Sequence, residues 1–235
     1  TIYHSNKTKE GKIFEEFKNK KGFKNKKLPI KLIDKIKIIE KETGIEYSLN
    51  HFGQGLYSIY DFNIVPESDY ELMINHGNNQ FTSIEKLSNS SMIDNVIQGE
   101  RNTLSDDIIE IVTTFTDRPE LDNYYLFEYG KKGNLQPARD LYINGNSFTF
   151  SYFMNKDDIP QNRELSVRME GIDYDYFKYM LQIVIQTNTQ NGPFSTPPAP
   201  ILGNIVNINN NESTVFGYFK VCEYDEYVLK NILID

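Results

Sequence analysis

The residues able to carry chemistry are few and scattered. Histidine occurs three times, at His4, His51 and His76, with no His-x-x-x-His or Glu-flanked spacing, so no zinc set is formed. Ser195 stands between Phe194 and Thr196, ahead of a run of prolines. A nucleophilic serine needs a sharp strand-to-helix turn, and this context does not supply one. Gly53-Gln54-Gly55 lies between two β-like segments and reads as a hairpin turn, not a phosphate cradle. Paired acids occur at Asp106-Asp107, Asp157-Asp158 and Asp173/Asp175. Such pairs can hold Ca²⁺ or serve as acid and base, but none has calcium-loop spacing, and loop ends and a helix cap account for them. Cys222 is the single cysteine, so an internal disulfide is excluded, and its alternating surroundings make it a small buried hydrophobe. The sequence thus implies no cofactor, no metal and no enzyme.

Binding chemistry has better material. The chain holds 16 Tyr and 15 Phe but no Trp. Tyr124, Tyr125, Tyr129, Tyr142 and Tyr152 lie on predicted strands, where alternate residues face outward. An exposed tyrosine face would suit a sugar ring or a peptide; cross-strand packing is the competing role. Charge is uneven as well. Residues 1–41 carry 13 Lys against 5 Asp and Glu, a balance of +8, which leaves −16 for the rest of a chain whose net charge is −8. The basic start reads as a solvated loop or as a patch for an anionic surface, and the acidic remainder argues against nucleic acid.

The elements that must position these residues are mostly strands. Tyrosine-rich composition and short alternating runs broken by Gly, Asn and Pro predict a mainly β chain of two β-sandwich-like domains. Residues 1–27 read as a basic edge strand and loop. Residues 28–97 read as an N-terminal sandwich of immunoglobulin or regulatory-domain type, with strands near 35–41, 45–49, 56–60, 70–75 and 80–84. Met92-Ile93-Asp94-Asn95-Val96 reads as a crossover, and the boundary falls at 97–105. The second domain, 105–235, has strands near 108–117, 123–129, 141–143, 147–150, 164–169 and 215–221. Asn144-Gly145 is the strongest hairpin signal. Ile172, Tyr176, Tyr179, Met180, Ile183 and Val184 make a helical stripe, so a helix over 173–187 with Asp173 as N-cap is predicted. Pro193, Pro197, Pro198 and Pro200 then forbid helix or central strand and predict a rigid strap over 192–205. No run reaches the length of a membrane-spanning helix. The chain starts at Thr1 with no leader, and reads as a mature or trimmed fragment.

Three motifs follow one another at the C-terminal end: Asn191-Gly192-Pro193-Phe194-Ser195, then Gly203-Asn204-Ile205, then Gly217-Tyr218-Phe219. With the Tyr-rich helix before them, they resemble the Bacteroidetes domain-of-unknown-function family four-two-four-nine. In the first motif the asparagine precedes the glycine, where the family has the reverse order. Gly44 with Tyr47 and Leu49, Gly55 with Tyr57, and Tyr70 with Leu72 and Ile74 fit the N-terminal half more loosely. The resemblance implies a non-enzymatic outer-membrane lipoprotein on the cell surface, an accessory subunit of a TonB-dependent β-barrel transporter held by a lipid anchor. It implies no catalytic residue. The lipid-bearing cysteine of the family is not in this chain, since Cys222 lies far from the start. A stand-alone glycan- or peptide-binding module is the alternative, and a hydrolase with an unrecognised carboxylate pair is the third reading.

Overall fold

The computed structural model describes residues 2–5, 11–13, 33–53, 55–100, 105–119, 122–130, 133–140, 144–188 and 199–234. The protein is mainly β, with one α-helix and one short 3-10 turn among the described residues. It divides into two compact units that interleave in sequence. One takes Thr1–Leu87 and Pro200–Cys222; the other takes Ser88–Ala199 and Glu223–Asp235.

The first unit is built on antiparallel strands. β1 (Ile2–Ser5) and β2 (Gly11–Ile13) form a hairpin. β3 (Lys35–Glu40) is flanked by β4 (Glu46–Ser48) and β7 (Asp69–His76), and β7 pairs in turn with β8 (Asn79–Ser88). β5 (Asn50–Gly53) and β6 (Leu56–Ser58) make a separate two-stranded hairpin. Alternation explains the core. Ile36 and Ile38 of β3 and Tyr70 and Leu72 of β7 point the same way and meet Tyr57, Phe62, Phe219 and Val221.

The second unit is a sandwich. Its smaller sheet has the order β13 (Ser147–Asn155), β10 (Ile108–Thr116), β9 (Ile93–Gln98). Its larger sheet runs β12 (Leu135–Arg139), β11 (Tyr124–Tyr129), β14 (Leu165–Ile172), β16 (Val221–Leu229), each pair antiparallel. Ile109, Ile111, Phe115 and Met154 from the first sheet pack against Tyr125, Phe127, Tyr129, Val167 and Met169 from the second. The opposite face of the larger sheet is covered by α1 (Tyr174–Asn188), whose Phe177 and Met180 join Leu126 and Ile172. Asp173 caps that helix as its sequence predicts: its carboxylate accepts from the Tyr176 N–H at 2.7 Å.

Several expectations change. The expected break at 97–105 divides what the structure joins, because the predicted crossover is β9, an edge strand with Ile93 and Val96 in the sandwich core. Short β15 (Val206–Asn207), paired with β8, and the rest of the chain from Pro200 to Cys222 belong to the first unit, not to a strap across the second. β12 has no counterpart in the sequence reading; Pro137 argues against a central strand, and β12 is in fact at a sheet edge. The Asn144-Gly145 turn leads into β13, which pairs with β10; the hairpin's expected first strand, 141–143, lies outside the described residues. So do most of the basic start and the strap's 192–198 portion.

Candidate functional site

The C-terminal motifs form a clasp within the first unit. A strand over 215–221 is expected, yet residues 214–220 are irregular and the strand begins at Val221. The physical reason is Gly217, whose φ of 141° is open to glycine and departs from regular strand geometry. In place of a neighbouring strand, the Asn204 side chain serves Phe219: its Oδ1 accepts from the Phe219 N–H at 2.8 Å and its Nδ2 donates to the Phe219 carbonyl at 2.7 Å. The same Nδ2 donates to Glu85 Oε1 at 2.5 Å. Gly203 brings the two segments together, since a Cβ there would lie 1.7 Å from the Gly217 carbonyl oxygen. Ile205 packs on the core that holds Phe219. Gly203, Asn204, Ile205, Gly217 and Phe219 are therefore structural, and Tyr218 is half-buried beside them. Gly192, Pro193, Phe194 and Ser195 lie outside the described residues.

The predicted tyrosine face is not a face. Tyr125 and Tyr129 are buried in the sandwich core. Tyr152 stacks on Tyr129 with ring centroids 4.1 Å apart, and Tyr124 packs against Tyr174 and Phe177 of the helix. The cause is the double cover on β11, with the small sheet on one side and α1 on the other, so alternation has no solvent side to point to. Tyr142 lies outside the described residues.

Two acids that the sequence did not single out do come together. Asp117 and Asp140 are buried, and their carboxyls lie close enough to interact. Burial raises the Asp117 carboxyl above its ordinary range, and the Asp140 charge adds to that. Asp117 also accepts from the Tyr125 hydroxyl at 2.6 Å and the Gly145 N–H at 3.2 Å, and Asp140 accepts from the Asn144 N–H at 3.2 Å. With oxygens committed to protein donors and both groups enclosed, the pair ties the end of β10 to the 144–145 turn. Of the acids the sequence did flag, the Asp106-Asp107 and Asp157-Asp158 segments run side by side, the Asp107 carbonyl accepting from the Lys156 N–H at 2.8 Å. Asp106 and Asp107 are exposed, Asp157 and Asp158 lie in the 3-10 turn, and Asp175 pairs with Lys178 at 2.8 Å. Among the described residues no three His, Cys, Asp or Glu side chains converge as a metal would require. The described histidines do not meet: His51 packs on Tyr57 with centroids 4.9 Å apart, and His76 ends β7.

What the first unit does expose is an aromatic pair at the β5–β6 hairpin, Phe52 on β5 and Tyr60 two residues past β6. Phe52 is 51% exposed and Tyr60 73% exposed, and their rings meet edge to face at 5.8 Å. The hairpin is anchored from below. Tyr57 enters the core, and its hydroxyl accepts from the Ile33 N–H at 3.0 Å. Large exposed aromatics held on a fixed support are suited to contact with sugars, peptides or apolar surfaces. Sequence reading passed over them because the segment's two glycines mark only a turn.

A mainly β, two-unit protein with a clasped C-terminal return and an exposed aromatic hairpin is the class these features define. The chain belongs to the family described as Domain of unknown function (DUF4249), which matches residues 17–227. No curated protein matches it.

Proposed function

We propose that this chain is a non-enzymatic docking protein that meets its partner through the Phe52–Tyr60 hairpin. The partner in this reading is a TonB-dependent outer-membrane β-barrel transporter. The chain would act as its accessory subunit on the cell surface, held at the outer membrane by a lipid anchor. The observation that carries the docking role is the contrast in tyrosine and phenylalanine placement. The strand tyrosines are spent on the core, whereas Phe52 and Tyr60 stand exposed at a hairpin anchored by Tyr57. The transporter as partner follows from the family resemblance.

Affinity capture from detergent-solubilised outer membrane tests the reading. The wild-type chain should retain a TonB-dependent barrel, and Phe52→Ala/Tyr60→Ala should lose it while keeping its thermal unfolding profile. Recovery of no barrel, or equal recovery by the variant, would overturn it. The same aromatic pair favours one second reading, a stand-alone glycan- or peptide-binding module, because aromatic rings stack on sugar C–H faces and on peptide side chains. Binding on a glycan array that disappears with the double alanine variant, in the absence of any barrel partner, would select it.

A further inference from the structure

The small sheet of the second unit leaves β13 with a strand on one side only, β10, among the described residues. β13 runs Ser-Phe-Thr-Phe-Ser-Tyr-Phe-Met-Asn, nine residues in unbroken register with β10 and without a charge, a proline or a bulge. Soluble proteins guard such edges with lysine, proline, a bulge or short length. None of these guards is present.

Which backbone groups are free follows from parity. The Asp117 N–H donates to the Asn146 carbonyl, and the Lys156 N–H donates to the Asp107 carbonyl. The Glu110 carbonyl instead accepts from the Gly99 N–H, on the β9 side. Odd residues of β10 therefore exchange hydrogen bonds with even residues of β13. The N–H and carbonyl groups of Ser147, Thr149, Ser151 and Phe153 are left pointing to the open edge, whereas Asn155 caps the following 3-10 turn. Thr149 is exposed on that strand, and Phe153 is 47% exposed.

We propose that β13 is a dimerisation edge, which pairs antiparallel with β13 of a second copy of this chain about a two-fold axis at Ser151. The strand is complementary to itself in that register. Free odd residues face free odd residues: Ser151 meets Ser151 and Thr149 meets Phe153. Phe148 then faces Met154. From Thr149 to Phe153 each free N–H finds a carbonyl, as an isologous contact requires. Charge selects the same direction. Lys156, Asp157 and Asp158 follow β13, and antiparallel pairing sets them beside Asn144, Gly145 and Asn146 of the second copy, which carry no charge. Parallel pairing would instead place the two Asp157-Asp158 pairs together. In a chain of net charge −8, an uncharged strand edge is also where two copies approach with least repulsion.

Sedimentation equilibrium over a dilution series is the test. The wild-type chain should show twice the 27.4 kDa chain mass at high concentration and the single mass on dilution. Thr149→Lys/Phe153→Lys sets lysines opposite lysines across the axis and should stay at the single mass. Thr149→Glu/Phe153→Glu should do the same, and a mixture of the two variants should regain the doubled mass as a heterodimer. Amide hydrogen exchange covers the case in which the variants fail to fold. In the wild type, the Thr149, Ser151 and Phe153 amides should gain protection as concentration rises, while those of Phe150 and Tyr152, already bonded to β10, should not change. A wild type that keeps the single mass throughout overturns the proposal. So does a lysine variant that still doubles, or protection that does not follow concentration at the odd residues.

Discussion

Replacing Asn204 with alanine removes three hydrogen bonds, one from the Phe219 N–H, one to the Phe219 carbonyl and one to Glu85. Phe219 is 2% exposed, so water does not replace what the side chain gave. A net hydrogen bond contributes about 1 kcal/mol, and a buried backbone group left unpaired costs roughly 1–3 kcal/mol. The expected loss is therefore about 3 kcal/mol, with about 5 kcal/mol as the upper end. About 3 kcal/mol corresponds to a shift of more than a hundredfold in the unfolding equilibrium. Urea titration followed by tyrosine fluorescence and circular dichroism reads this directly, tryptophan being absent. If the two units unfold in separate steps, only the step that includes residues 200–222 should move. Asn204→Asp sharpens the test. It keeps the acceptor for the Phe219 N–H, loses both donations and points a carboxylate at Glu85, so at neutral pH it should be no better than alanine, with partial recovery in acid. A stability change below about 0.5 kcal/mol for alanine, the range of an ordinary surface substitution, would refute the clasp. So would an aspartate variant as stable as the wild type.

Four further outcomes follow from the same structure. Gly203→Ala should cost about 3 kcal/mol or more, or abolish soluble expression, because its Cβ would overlap the Gly217 carbonyl and only backbone movement relieves that; thermal unfolding checks it. Asp140→Asn should raise stability at neutral pH. Burial and the Asp140 charge hold the Asp117 carboxyl above its unfolded value, so that group's contribution is full below the unfolded value and fades as pH rises through the folded one; an amide donating to Asp117 removes the penalty, and the difference should vanish in acid. Glu40 runs the other way: hydrogen bonds from Ser68 and Thr43 hold its carboxyl at about 2 against an ordinary 4.5, so its contribution is present above 4.5 and lost as pH falls towards 2, and Glu40→Gln should flatten acid unfolding in that window. Asp173→Ala removes the helix cap and should cost about 1 kcal/mol in denaturant titration.

The strands were legible because alternation is local. Lys35–Glu40, Asp69–His76 and Ile108–Thr116 announce themselves in a few residues each. Their partners do not. β14 pairs Leu165 with Leu229, and no local pattern carries that information. The same limit misplaced the boundary: Ile93-Asp94-Asn95-Val96 looks like a passage between domains until Val96 is found opposite Thr113. It also hid Asp117 and Asp140, brought close enough to interact by the fold alone. The tyrosines failed for a further reason. Alternation says which residues share a face, not whether that face meets solvent, and α1 had closed the second face of β11.

The motifs were legible and their work was not, and the clasp explains why. A strand partner is written in sequence as another strand. Phe219 has instead a single side chain, Asn204, doing what a strand would do, at a place where Gly203 lets two backbones nearly touch. Such a device needs an unusual residue at each position, so it stands out in the sequence. A contact surface has no such need. Phe52 and Tyr60 require only an exposed hairpin and a buried Tyr57 beneath it, and many residues could stand in their place. Gly203, Asn204, Ile205, Gly217 and Phe219 are thus residues that close the fold of the first unit. The contacts proposed above involve Phe52 of β5, Tyr60 just past β6 and the edge of β13, where the sequence carries no comparable motif.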